Sequence, residues 1–321
     1  MRSINENFKN NLQNSELLKI VRADDTLNME LRGNYVTVYY RGCAALTLSE
    51  EFVFSPCNEE YFNKTNTKKT SVSTLQEYFL YAKHAIDKFI FEYKENAETE
   101  TQQLIVRENN YSTISNNTDY FIIDIEYKNN QNKEFDLITL RWKADKNIRR
   151  KPKMSDFSLV IFELKYGKDA IGNSGKAKDK KSASISEHMN DFNNFIANTT
   201  EVDLFKKDML NLFKQKCELG LIRFGENKNE YKQQLSGNNN FSKLFDDSNL
   251  LSKEILENIN IDFGYIFANY IKRSSILKEE LMKFNDDFIF ITSSFMGYGL
   301  FSSEEKRRID LEEIVKKQKS L

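Results

Sequence analysis

Between Asp119 and Gly167 three apolar, strand-like segments follow one another closely, at 120–128, 134–142 and 157–166. The second and third carry ionisable residues where a buried sheet would carry Val or Leu: Asp136 stands between Phe135 and Leu137, and Glu163 and Lys165 flank Leu164 after Leu159-Val160-Ile161-Phe162. Strand side chains alternate faces, so Glu163 and Lys165 point the same way and Leu164 points to the other side. A buried carboxylate is expensive unless paired or bound to a metal, so Glu163 is neutralised either by Lys165 or by a cation. With Asp136, Asp124 and Glu126 on the neighbouring segments, one lysine does not balance the carboxylates, which favours a divalent cation.

The rest of the chain narrows the class of protein. At 321 residues with 40% apolar content it is long enough for one core or two. Lys and Arg total 47 against 48 Asp and Glu, which excludes a uniformly basic nucleic-acid coat and leaves only local contact with such a polymer. Cys43, Cys57 and Cys217 are widely spaced and odd in number, arguing against a disulfide framework or a zinc site and for a reducing, cytoplasmic setting. No apolar run reaches the roughly 18 residues of a membrane span, so no membrane partner is expected.

From the N-terminus, residues 4–20 read as a helix and 27–49 as a meander of short strands turning at Gly33-Asn34 and Gly42, a small α+β unit. Arg41, beside Tyr39-Tyr40, is either a phosphate or base contact or a snorkelling strand-edge residue. Residues 58–73 are polar and read as a linker, and Thr74 caps a long amphipathic helix to Tyr93. A second helix, AETETQQLIVRENN, carries Glu98 and Glu100 in its first turn. Arg141, Lys143, Lys146, Arg149, Arg150, Lys151 and Lys153 form a local positive run around the third strand, a pattern that suits a phosphate backbone. After a helix carrying His188 and Asp191, and another over 201–218, strands are expected at 262–270 and 287–294, with a charged terminal helix at 303–318.

A helix with ETETQQ, the strand YFIIDIEYK, the strand EFDLITLRW and the strand IFELKYG, in that order, resemble the PD-(D/E)xK nuclease superfamily over about residues 95–200. Phe135 stands where that family usually has Pro before the Asp. The resemblance implies an α/β fold with a mixed central sheet flanked by helices, a restriction-endonuclease-like core over 95–321, preceded by the α+β unit and connecting helix of 1–94. It implies that Asp136, Glu163 and the Leu164 carbonyl hold Mg²⁺ (or Mn²⁺), that Lys165 orients the attacking water, and that Glu100, or Glu98 in its place, completes the site. Lys143, Arg149, Arg150, Lys151 and Arg41 become DNA contacts, with RNA as a further possible substrate, and His188 a contact to a phosphate or leaving group. The expected function is a metal-dependent nuclease hydrolysing DNA phosphodiester bonds. The alternative is a catalytically inactive module of the same fold that binds nucleic acid or a protein partner in a defence or repair assembly.

Overall fold

The computed structural model describes residues 1–56, 59–65, 73–93, 97–111, 118–130, 132–143, 148, 154–166, 185–223, 258–268, 289–292, 298–300 and 306–307. The chain is mixed α/β and forms two compact units, Met1–Asn116 with Asp208–Ser242, and Asn117–Lys207 with Lys243–Leu321. Among the described residues no helix is long and apolar enough to cross a membrane.

In the first unit the expected single helix over 4–20 is two, α1 (Glu6–Gln13) and α2 (Glu16–Ala23). Ser15 is the reason: its backbone is extended and its side chain accepts the Leu18 N–H, which starts a new helix. An antiparallel meander follows, β1 (Leu27–Leu31), β2 (Tyr35–Tyr40), β3 (Cys43–Ser49) and β4 (Phe54–Pro56), in that spatial order. The β2–β3 turn has φ 49° at Arg41 and 76° at Gly42, the pair of positive values that a two-residue hairpin loop of matching twist requires.

Part of the stretch read as a linker is a short helix, α3 (Glu59–Lys64), whose Phe62 stacks on Tyr81 at 4.8 Å between ring centres. The long helix α4 (Leu75–Tyr93) buries Phe79, Ala82, Ala85, Ile86, Phe89 and Ile90, and Thr74 accepts the Glu77 N–H at its start. Helix α5 (Ala97–Asn110) belongs to this unit, which therefore extends past position 94. Gln103 holds it to the meander, accepting from Gly42 N–H at 2.7 Å and donating to the Thr26 and Tyr39 carbonyls.

The second unit is a six-stranded mixed sheet, built from β5 (Tyr120–Lys128), β6 (Glu134–Trp142), β7 (Phe157–Tyr166), β8 (Asn260–Ala268), β9 (Ile289–Thr292) and β10 (Lys306–Arg307) in the order β10-β9-β8-β7-β6-β5. Strands β5, β6 and β7 run antiparallel, β7, β8 and β9 parallel, and β9 and β10 antiparallel. Strand β7 is central: Leu159, Val160, Ile161, Phe162 and Leu164 are fully buried, which is why its apolar run does not alternate. Within the expected terminal helix, Lys306 and Arg307 instead pair with β9, a tertiary choice that local pattern does not encode. Helix α6 (Ile185–Ala197) packs on the sheet, with Phe192 stacked 4.7 Å from Phe263 and the Tyr265 hydroxyl donating to the Ile185 carbonyl at 2.6 Å. Helix α7 (Thr199–Glu218) begins in this unit and from Asp208 counts with the first.

A buried carboxyl–lysine–histidine cluster

The site follows from register. Strands β6 and β7 pair Leu137 with Phe162 and Ile138 with Ile161, so one step further Asp136 lies opposite Glu163 with its side chain on the same face. Lys165, two residues on, shares that face. The backbone ladder ends at Leu137–Phe162, and there the Asp136 side chain takes over as acceptor, its Oδ2 receiving the Leu164 N–H at 2.7 Å.

Asp136 is only partly screened from solvent by area, but its carboxyl group is packed closely enough to be desolvated. Burial raises its pKa above the ordinary value, opposed by Lys165, by the Leu164 N–H and by a hydrogen bond with Glu163. Asp136 and Glu163 thus lie side by side with Lys165, and burial favours the protonated form of Asp136. Lys165 Nζ lies 3.9 Å from Glu163 Oε2, and the two side chains are 6% and 2% exposed.

Glu163 Oε2 also meets His188 on α6, whose Nδ1 is 3.0 Å away. Burial pushes the His188 pKa down to about 3, and the charges of Lys165 and Lys133 add to the shift. The imidazole is therefore neutral at neutral pH, and its contact with Glu163 is a hydrogen bond and not an ion pair. Lys165 is thus the cation that the fold itself sets beside these carboxyl groups.

Asp124, fully buried on β5, pairs with Ile138 and so sits on the Asp136 face, two residues along the neighbouring strand. Glu126 has φ 51°, a left-handed backbone that takes it out of the regular alternation. Among the described residues no three His, Cys, Asp or Glu side chains are gathered closely enough to hold a metal ion. Asp136, Glu163 and His188 are linked through Glu163 and do not converge on one point. The donor set nonetheless suits Mg²⁺, which binds through one or two carboxylate oxygens and keeps its remaining positions for water or phosphate.

Glu100 and Arg41 belong to the first unit, where Arg41 Nε meets Glu100 Oε1 at 2.7 Å and its other arm meets Asp87 at 2.8 Å. The Arg41 turn therefore clamps α4 and α5, a structural use of both residues that the sequence did not point to, because Asp87 carried no signal. Glu98 is exposed on α5, and Lys143 is exposed just after β6. Arg149, Arg150 and Lys151, like the remainder of the basic run from Lys146 to Lys153, lie outside the described residues. Trp142 is 3% exposed and packs between Phe121 and Phe157, a core role. The contact of His188 with Glu163 had one sequence cue, the spacing of His188 and Asp191 on one helix face, and Asp191 pairs with Lys133 at 3.0 Å. Comparison with protein-family models, with curated proteins and with solved structures gave no match for this chain.

Proposed function

We propose that the second unit carries a metal-dependent phosphodiesterase site of the PD-(D/E)xK kind that hydrolyses DNA, on a restriction-endonuclease-like core. The observation that supports this reading most is the cross-strand placement of Asp136 opposite Glu163, with Lys165 on the same face and all three packed together. The antiparallel β5–β6–β7 order followed by parallel β8 is in keeping with it.

Asp136 and Glu163, with the Leu164 carbonyl, would hold Mg²⁺ or Mn²⁺, which when bound polarises a phosphodiester and supplies hydroxide at neutral pH. The chain's own residues do the rest. Lys165, an amine beside the two acids, orients water and offsets charge developing on the phosphate oxygens. Burial favours the protonated form of Asp136, so Asp136 would have to give up that proton to serve as a ligand. Lys143 and the basic run to Lys153 hold the phosphate backbone. The reading uses Asp136, Glu163 and Lys165, and leaves Glu100 to its ion pair with Arg41.

A second reading is a module of the same fold that binds nucleic acid or a protein partner without cleaving. It is favoured by the buried approach of Lys165 to Glu163 at 3.9 Å, which sets a cation beside the carboxylate without a metal. Plasmid DNA, linear DNA and RNA incubated with the protein in Mg²⁺, in Mn²⁺ and in EDTA separate the two. Cleavage that needs the metal and disappears in Glu163→Gln and Lys165→Met supports the enzyme. Intact substrates throughout, with wild type and Glu163→Gln alike, leave the binding module.

A further inference from the structure

The hydrogen bond between His188 and Glu163 is not used by the chemistry proposed above, and the helix that carries it is held in register at several points. At its N-terminal end the Ile185 carbonyl accepts from the buried Tyr265 hydroxyl, and Tyr265 is the β8 residue paired with Glu163 itself. One turn beyond His188, Phe192 stacks on Phe263, the β8 residue paired with Ile161. Asp191 is tied to Lys133 at the end of the β5–β6 hairpin. Ile185, Met189 and Phe195 are buried. The His188 ring, 17% exposed, is therefore fixed over Glu163 Oε2 at 3.0 Å, closer than Lys165 Nζ at 3.9 Å.

The difference between the two partners is geometric. A lysine ammonium on a flexible stem at 3.9 Å gives the carboxylate no fixed direction, whereas an imidazole ring held by its helix at 3.0 Å orients it. We propose that His188 is a positioning residue: through Nδ1 it fixes the Glu163 carboxylate in the orientation that takes a divalent cation, and so frees Lys165 to face the substrate. The proposal rests on the phosphodiesterase reading, and the test below separates the failure of one from the failure of the other.

The test is Mn²⁺ binding to the full chain by titration calorimetry, for wild type, His188→Ala, His188→Asn and His188→Gln. The Asn amide reaches about where Nδ1 stands, and the longer Gln amide does not. Loss of a hydrogen-bond partner behind a metal ligand weakens metal affinity by about 10- to 100-fold. That loss is expected for His188→Ala and His188→Gln, with His188→Asn within about threefold of wild type. If wild type binds Mn²⁺ and all three variants bind equally well, His188 does not position Glu163, and the phosphodiesterase reading survives. If Asn and Gln weaken binding to the same extent, the Nδ1 hydrogen bond is not what matters and the proposal falls, a comparison that holds even where His188→Ala does not fold. If wild type binds no Mn²⁺ and cleaves no DNA, both readings fall together.

Discussion

Replacing Lys216 by Met is the most incisive single perturbation of the first unit. Lys216 on α7 donates to Glu30 Oε2 at 2.6 Å, with the two side chains 1% and 0% exposed. Glu30 Oε1 accepts from Asn28 at 2.9 Å, and Asn28 in turn accepts from the Tyr111 hydroxyl at 3.0 Å. Burial, reinforced by the charge of Glu30, pushes the Tyr111 pKa up, so that hydroxyl stays a donor. Met keeps the length of Lys and removes the charge, leaving a buried carboxylate with Asn28 alone. Breaking a buried pair from one side costs about 3–5 kcal/mol. For a domain of this size each kcal/mol moves the midpoint by about 2–4 °C, so the thermal transition of the variant should fall by roughly 6–20 °C. Glu30→Gln together with Lys216→Met removes the orphaned charge and keeps an acceptor for Asn28, so most of the loss should return. Urea titrations followed by far-ultraviolet circular dichroism measure wild type and both variants. A loss below about 1 kcal/mol for Lys216→Met, or a double variant no more stable than the single one, would refute the reasoning.

Three further outcomes follow from the same geometry. Gly42→Ala would place a Cβ 2.5 Å from the Glu100 backbone nitrogen at φ 76°, so it should lower the urea midpoint by an amount equivalent to about 1–3 kcal/mol; an unchanged midpoint would mean that the turn does not dock on α5. Burial raises the Asp136 pKa, so this carboxyl favours the fold while it is protonated, and that contribution is lost as pH rises through the folded-state value. In EDTA, Asp136→Asn should therefore be more stable than wild type near pH 8, with the gap closing as pH falls towards 4; a gap that widens in acid would contradict it. Trp142, the only tryptophan, is 3% exposed, so its emission should be blue-shifted and poorly quenched by acrylamide, and Phe157→Ala should shift it to the red.

How far the sequence reaches is seen by comparing strands with contacts. Segments 120–128, 134–142 and 157–166 are β5, β6 and β7 as observed, because each is a β-branched and aromatic run bounded by polar or turn residues. Alternation alone placed Glu163 and Lys165 on one face. Their proximity to Asp136 needed the β6–β7 register, and their proximity to His188 needed the packing of α6, neither of which is a local property. Glu100 stood out from its place in the first turn of a helix, a local feature that does not reveal its ion pair with Arg41. Its partner Arg41 lies 59 positions away, brought to it by the folding of the meander against α5. The two-residue strand Lys306–Arg307 failed for a similar reason, since only the edge of β9 makes it a strand.

The register also explains why the cluster tolerates burial. Because side-chain direction repeats every two residues, a one-residue slip between β6 and β7 would send Glu163 and Lys165 to the opposite face from Asp136. Asp136 would then lose Glu163 and Lys165 as neighbours, leaving ionisable groups apart from one another in an apolar layer, each costing several kcal/mol. The correct register is thus selected by the charges as well as by the apolar residues around them. The two acids and the amine that the proposed chemistry would need are the same three side chains that the register brings together for the fold. A cation binding there would have to displace the Lys165 contact with Glu163 and the proton that burial favours on Asp136, so measured Mn²⁺ binding separates the two readings of function.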